Sequence, residues 1–261
     1  STLGRKLVAE LSSEGRFLEI LARDEEVDVR RMVARNPHTP SAILESFSEE
    51  EDLLMALLEN PDIPLEVVKP LAYHPDLGVR EQVVWAASPE VLEILARDEA
   101  EEVREWVALN PDTPLSVLEA LALDEAFRVR VRLAENPSTT AAVLMTLSEE
   151  RDDDVLEVVA LNPRTPVSVL KSLGEDLYAA NVQRGVAANE NTPLAIIETL
   201  ARDEDEIVRS GAAVNTNTPW AILETLAHDD DAEVRGEIAS NPSTPREILE
   251  TLAIDDDDYV R

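Results

Sequence analysis

An asparagine, in most copies followed by proline, recurs along this chain at a nearly constant interval, and this period constrains the possible fold more than any other feature. Most successive copies are 26 residues apart, and Ala86 fills the one gap in the series. The asparagines of the series are Asn36, Asn60, Asn110, Asn136, Asn162, Asn189, Asn215 and Asn241. A second mark, usually Val-Arg, recurs with the same period from Gly4-Arg5 to Val260-Arg261 and delimits ten units. Periods of this length are typical of solenoids. The sequence predicts a single solenoid domain of about ten tandem repeats over residues 1–261.

The unit that begins at Asn110 predicts two short helices. In the first helix, Thr113 is the expected N-cap and Pro114 the first helical residue, where its missing N–H costs nothing. In the second helix, Asp124 is the expected N-cap, and Glu125 lies in the first turn, where the helix dipole favours a carboxylate. Apolar residues follow each start at helical spacing: Val117, Leu118, Leu121 and Ala122, then Val129, Leu133 and Ala134. The next Asn-Pro pair ends the second helix, because a residue that precedes proline avoids the α region.

The composition agrees with an all-α fold. The chain has seven glycines and 3% aromatic residues, and no stretch alternates between apolar and polar residues as a half-buried strand would. The absence of cysteine excludes disulfides, cysteine-ligated zinc and cysteine nucleophiles. No apolar run reaches the roughly 20 residues needed to cross a bilayer, so we expect a cytoplasmic protein.

Short polar amides often bond backbone groups in tight turns, so we assign the repeated asparagine a structural role rather than a ligand role. The pattern Asn-Pro-x-Thr-Pro, followed by "ILETLA" or "VLEALA", an acidic turn and "VRxxVA", resembles the leucine-rich repeat variant family of bacterial proteins. The resemblance extends over the whole chain and is strongest at "NPHTPSAILE", "NPDTPLSVLEALALDE", "NPRTPVSVLKSL" and "NPSTPREILETLA".

The resemblance implies a right-handed superhelix of α-helices alternating with short 3₁₀-helices, so one of the two predicted helices of each unit is a candidate 3₁₀ segment. A family member carries a cysteine-bound iron–sulfur cluster, which this cysteine-free chain cannot hold. The chain departs from the pattern at Leu54, Leu156 and Gln183, which replace the usual arginine, and in "LGEDLYAANVQRG", residues 173–185. It also stops just as a further second helix would begin, so we expect it to be a piece of a longer array.

No catalytic constellation is apparent. The three histidines, His38, His74 and His228, occupy different repeats and different positions within them, which argues against a metal site. The glycines are scattered, so no phosphate-binding loop is present. Carboxylate pairs are abundant but periodic, and periodic residues usually serve the scaffold. We therefore predict a protein without enzymatic activity, cofactor or bound metal.

The turn between the two helices of each unit is acidic, and stacking places these turns on one edge. The candidate acidic edge comprises Asp203, Glu204, Asp205, Glu206, Asp229, Asp230 and Asp231. The simplest interpretation is structural, since carboxylates near helix N-termini are stabilising and a net charge of −32 opposes self-association. Alternatives are recognition of a basic partner, binding of divalent cations, or adaptation to a salt-rich habitat. The recurrent arginine is expected to pair with carboxylates of the adjacent turn.

Positions that vary from repeat to repeat are better candidates for specificity, because the scaffold does not dictate them. In the second helix these are the two residues after Val-Arg and the residue before the asparagine. The candidate partner-binding residues are Glu81, Trp85, Glu105, Trp106, Leu109, Val131, Arg132 and Glu135. Tryptophan and arginine often anchor interfaces, although the two tryptophans could instead fill gaps between helices.

Together these features predict a non-enzymatic scaffold that binds a basic or mixed-surface protein. An alternative is an acidic mimic of nucleic acid. A net charge of −32 over ten units is about three charges per repeat, whereas duplex DNA carries about six over the roughly 10 Å that one repeat would span. We expect a monomer that binds protein, and neither nucleic acid nor membrane directly.

Overall fold

A computed structural model describes residues 1–175 and 179–261. The predicted irregular segment 173–185 therefore lies partly outside the described residues. Every regular element among the described residues is an α-helix, so the all-α prediction is confirmed, and neither helix of a unit is a 3₁₀-helix there. The helices are α1 Thr2–Leu11, α2 Gly15–Leu21, α3 Val27–Arg35, α4 Ser41–Phe47, α5 Glu51–Leu58, α6 Leu65–Leu71, α7 Leu77–Ala86, α8 Pro89–Leu95, α9 Glu101–Leu109, α10 Leu115–Leu121, α11 Phe127–Glu135, α12 Ala141–Leu147, α13 Asp153–Leu161, α14 Val167–Glu175, α15 Ala180–Ala188, α16 Leu194–Leu200, α17 Glu206–Val214, α18 Trp220–Leu226, α19 Ala232–Ser240 and α20 Arg246–Leu252.

The chain forms two compact units, residues 1–117 and 118–261, and the boundary falls inside α10. Even-numbered helices are the first helices of the repeats, and odd-numbered helices are the second helices. In the first unit α1, α3, α5, α7 and α9 pack against one another in chain order, and in the second unit α11, α13, α15, α17 and α19 do the same. The single domain over residues 1–261 stays a prediction.

The apolar core lies between the first and second helices of the repeats. All seven apolar residues predicted for the repeat that begins at Asn110 are at most 5% exposed, and most of the equivalent leucines, valines and alanines of the other repeats are also buried. Short helices of seven to ten residues are marginal alone, so this burial against neighbours supplies most of their stability. The predicted apolar stripes are therefore confirmed.

The predicted helix starts are wrong. Helix α10 begins at Leu115, and the buried Thr113 does not cap it, because its hydroxyl donates to the carbonyl of Val107 at 2.6 Å. The same bond, from threonine to the carbonyl six residues earlier, recurs in other repeats, and proline occupies the cap position. Helix α11 begins at Phe127, two residues after Glu125. Asp124 caps the turn rather than the helix, since its carboxylate accepts the N–H of Ala126 at 2.9 Å.

Each repeated asparagine is buried at the end of a second helix, and the side chains of most of them bond the preceding repeat. In Asn215, Oδ1 accepts the N–H of Asn217 at 2.9 Å, which closes the turn. Its Nδ2 donates to the carbonyls of Ala187 and Asn189, 2.7 and 2.9 Å away in the preceding repeat. We call this pair of interactions the asparagine staple. It supplies a donor to the carbonyl of Ala187 at the end of the preceding second helix, and a second donor to the carbonyl of Asn189, which also accepts the N–H of Thr192.

Candidate interaction surface

The recurrent arginine of the second helix forms a second connection between repeats, the arginine staple. Arg209 donates from Nη1 to the carbonyl of Asp203 at 2.9 Å, in the turn of its own repeat. Its Nε and Nη2 contact the two carboxylate oxygens of Asp229 in the next repeat at 2.7 and 2.8 Å. Arg235 bonds Asp255 in the same way. The predicted pairing of arginine with the adjacent acidic turn thus has a defined bidentate geometry.

Both staples are missing where α5 packs against α7. Leu54 stands in place of the arginine, and His74 stands in place of the acid that would receive it. The His74 ring accepts the N–H of Asp76 at 3.1 Å and so keeps the local turn. At the other end of α7, Ala86 replaces the asparagine. Buried Leu54 and Leu57 face this interface, and among the described residues no staple crosses it.

The candidate acidic edge divides into two classes of side chain. Asp203 and Asp229 accept backbone N–H groups within their turns, and Asp205 and Asp231 are the N-caps of α17 and α19. Glu204, Glu206 and Asp230 are exposed, and among the described residues their carboxylates have no hydrogen-bond partner. Four of the seven predicted residues therefore support the scaffold, and three present free charge to solvent.

The staples formed by Arg209 and Arg235 also lower the pKa values of their carboxyl partners, Asp229 and Asp255. Burial raises the pKa of Asp229, but the hydrogen bonds from Arg209 and from the N–H of Asp231 outweigh it, and the pKa is lowered overall. The hydrogen bond from Arg235, with one from the N–H of Asp257, lowers the pKa of Asp255 to about 2. These acids are therefore ionised partners within the scaffold at neutral pH.

In the first unit, the candidate partner-binding residues lie on two adjacent second helices. Glu81 and Trp85 are one turn apart on α7, which places them on the same face. The Trp85 side chain is 49% exposed and so fills no gap in the core. Glu105, Trp106 and Leu109 are partly exposed on α9, which packs against α7.

The remaining three predicted residues belong to the second unit. Val131, Arg132 and Glu135 lie on α11, where Arg132 forms an ion pair with Glu135 at 2.8 Å. Val131 is partly exposed, whereas Arg132 and Glu135 are exposed.

Two surface residues escaped the sequence analysis. Trp220, the third tryptophan, is 53% exposed at the start of α18, a first helix, whereas the candidate positions came from second helices. Glu102 is exposed on α9, one turn before Trp106. Its i, i+4 spacing from Trp106, equal to that of Glu81 from Trp85, is a signal that could have identified it.

No metal-binding arrangement is found within residues 1–175 and 179–261, where no three His, Asp or Glu side chains converge suitably. None of the helices in this part of the chain combines the length and the apolar character needed to cross a bilayer.

Comparison with known proteins agrees with the repeat architecture. The family model for the leucine rich repeat variant matches residues 101–126, which is one repeat. A solved structure described as "A leucine-rich repeat variant with a novel repetitive protein structural motif" is similar, with a TM-score of 0.58 and 26% identity, over 84% of this chain and 87% of that chain. An engineered protein of known structure aligns with 90% of this chain and 86% of its own at 17% identity, but the TM-score of 0.13 is too low to indicate a shared fold. No curated protein sequence matches. Residues 101–126 thus match the leucine-rich repeat variant family, whose repeat is a structural one with no known catalytic role, and the fold of the chain is similar to that of the solved leucine-rich repeat variant.

Proposed function

We propose that this chain is a non-enzymatic scaffold that binds a protein partner on the second-helix face of its first unit. The observation that carries the proposal is Trp85, half exposed beside Glu81 on a face that the staples leave free to vary. A half-exposed tryptophan stabilises the core little and leaves much apolar area in water. Such area is what protein interfaces bury at their centre.

The free carboxylates of the acidic edge would act at longer range. With a net charge of −32, the chain attracts basic proteins and increases their association rate. Glu204, Glu206 and Asp230 are the exposed contributors among the residues of the candidate edge. Steering by these groups does not require a contact in the final complex.

The alternative of a nucleic-acid mimic receives less support. Asp24, Asp98, Asp229 and Asp255 are paired with arginines of the staples, so these carboxylates are not free to imitate phosphates, and the net charge per repeat is about half that of duplex DNA over the same length. A mimic also needs charge rather than exposed tryptophan. The protein-binding scaffold therefore remains our proposal.

The test compares partner capture by three forms of the protein. Immobilised wild type, the double variant Trp85→Ala/Trp106→Ala and the control Trp220→Ala are incubated with extract of the source organism. Trp220 is a matched control because it is equally exposed but lies on a first helix of the second unit. We expect wild type and the control to retain the same partner and the double variant to lose it.

The affinity of the purified partner should then fall by about 30-fold or more in the double variant, as is usual for tryptophan hot spots. Urea unfolding should show the same midpoint for Trp85→Ala and wild type. Equal capture by the wild type and the double variant would refute the proposed surface.

A further inference from the structure

Ion pairs at the start of the array show which second-helix positions meet on the variable face. Lys6 Nζ lies 2.7 Å from Asp28 Oδ2, and Arg31 Nη1 lies 3.1 Å from Asp28 Oδ1. Lys6 directly follows Arg5, the staple arginine of α1. Asp28 lies two residues before Arg30, the staple arginine of α3, and Arg31 directly follows Arg30. Side chains at these three positions of adjacent second helices therefore reach one another.

The same three positions on α7 and α9 are Glu81, Glu102 and Glu105, counted from Arg80 and Arg104. A cation–anion–cation cluster in the first repeats is thus replaced by three acids. Neither Glu81 nor Glu102 forms an ion pair with any described residue. Two carboxylates that are held close together repel each other unless a cation lies between them.

Aromatic rings adjoin this place. A groove of about 520 Å³ on the corresponding face of α3 and α5 is lined by Met32, Arg35 and Met55 beside the ion pairs. Arg35 on α3 bonds Glu59 on α5. These two residues occupy equivalent positions on adjacent second helices, so side chains at this position also meet. Trp85 occupies the Arg35 position on α7, and Trp106 occupies the Met32 position on α9.

Carboxylates beside tryptophan rings form a good environment for an organic cation. The carboxylates supply charge, and the ring faces attract a guanidinium or ammonium group through cation–π interaction. The described residues contain no convergent trio that would suit a metal ion, and the spacing bridged by Lys6 and Arg31 suits long side chains instead.

We infer that the face bearing Glu81, Trp85, Glu102 and Trp106 is a receptor for an arginine or lysine side chain of the partner. The cation lies between Glu81 and Glu102 and bonds Glu102 as the Lys6 ammonium group bonds Asp28 in the first repeats, and its stem or guanidinium plane packs on the tryptophan rings. This inference rests on the proposed function and specifies the chemistry of the partner.

Intrinsic fluorescence tests the receptor directly. In a Trp220→Phe background, Trp85 and Trp106 are the only tryptophans. The probe is the blocked peptide Gly-Arg-Gly-Arg-Gly, and its control is the same peptide with uncharged citrulline in place of arginine. We expect saturable fluorescence change with the arginine peptide and at least about fivefold weaker binding of the citrulline peptide.

Charge variants then locate the site. Glu81→Gln/Glu102→Gln should weaken the arginine peptide about five- to tenfold, whereas Glu198→Gln/Glu224→Gln, which removes the same charge from exposed first-helix positions, should change its affinity less than about twofold. Glu81→Lys recreates the ion pair of Lys6 with Asp28 inside the site and should abolish binding while the circular dichroism spectrum stays unchanged.

Equal binding of the two peptides, or equal losses in the two glutamine variants, would overturn the inference. Those results would leave the proposed function standing if partner capture still depended on Trp85 and Trp106. Conversely, peptide binding that follows the expected pattern, without any partner whose capture depends on these tryptophans, would support the receptor and refute the proposed interaction surface.

Discussion

Replacement of Gly211 by alanine should destabilise the second unit, because α15 and α17 touch at this residue. A Cβ at Gly211 would lie 2.4 Å from the carbonyl oxygen of Arg184 and 3.0 Å from its Cα. It would also lie 3.0 Å from the Cβ of Ala187. Two of these three atoms are backbone, so no side-chain rotation relieves the clash.

The magnitude follows from the geometry. A comfortable carbon-to-oxygen contact is about 3.3 Å or more, so α17 must move away from α15 by about 0.9 Å. Overpacking of this kind costs about 1–3 kcal/mol, and backbone opposition favours the upper end of that range. The better helix propensity of alanine offsets about 1 kcal/mol. We expect Gly211→Ala to lower the free energy of unfolding by about 2 kcal/mol.

Urea unfolding followed by circular dichroism measures the change, and hydrogen exchange of α15 and α17 amides shows whether it is local. Gly4→Ala is the matched control: the same substitution in α1 would place the new Cβ 3.5 Å from Ser1 Oγ, an ordinary contact. That control should be neutral or slightly stabilising. If Gly211→Ala proved as stable as wild type, the close approach of α15 and α17 would be wrong.

Three further outcomes test the scaffold. Asn215→Ala should cost about 2–3 kcal/mol in urea unfolding, because it removes the side-chain donor from the carbonyl of Ala187, takes one of two donors from that of Asn189 and opens the turn at Asn217; Asn215→Asp, which as a carboxylate cannot donate, should do no better. Thr218→Val removes the donor to the carbonyl of Ala212 and should cost about 1–2 kcal/mol, and a neutral result would show that this hydroxyl is dispensable. Carboxyl NMR should give Asp255 a pKa of about 2 instead of 3.8, and Arg235→Gln should raise this pKa. The contribution of ionised Asp255 to the stability of the folded state is present above the ordinary pKa and should disappear as the pH falls through this range.

The fold could be predicted because the period and the apolar spacing are direct consequences of helix geometry. The helix starts could not be placed correctly from Thr113 and Asp124. Both residue types favour caps, but each also favours turns, and here the threonine hydroxyl reaches the preceding helix while aspartate closes a turn before the next. Local propensity alone does not distinguish these partners.

The candidate surface was predictable only in part. The variable positions identify Trp85 as free of the scaffold, and the structure gives its exposure. The sequence does not show that the amide of Asn215 reaches into the preceding repeat, because that contact depends on how closely two second helices pack. Glu102 was overlooked because its position is filled by Asp28 or Asp52 in other repeats and so resembles part of the acidic turn.

The missing staples between α5 and α7 bear on cooperativity. In a repeat protein, the coupling between neighbours determines whether the array unfolds as one or in blocks. Polar bonds connect α3 to α5 and α7 to α9, whereas α5 and α7 adhere through buried apolar side chains such as Leu54 and Leu57. The interaction free energy between neighbouring repeats is therefore smallest at this junction. The first unit can open there as two blocks, α1–α6 and the segment that begins at α7, at a lower free energy than elsewhere in that unit.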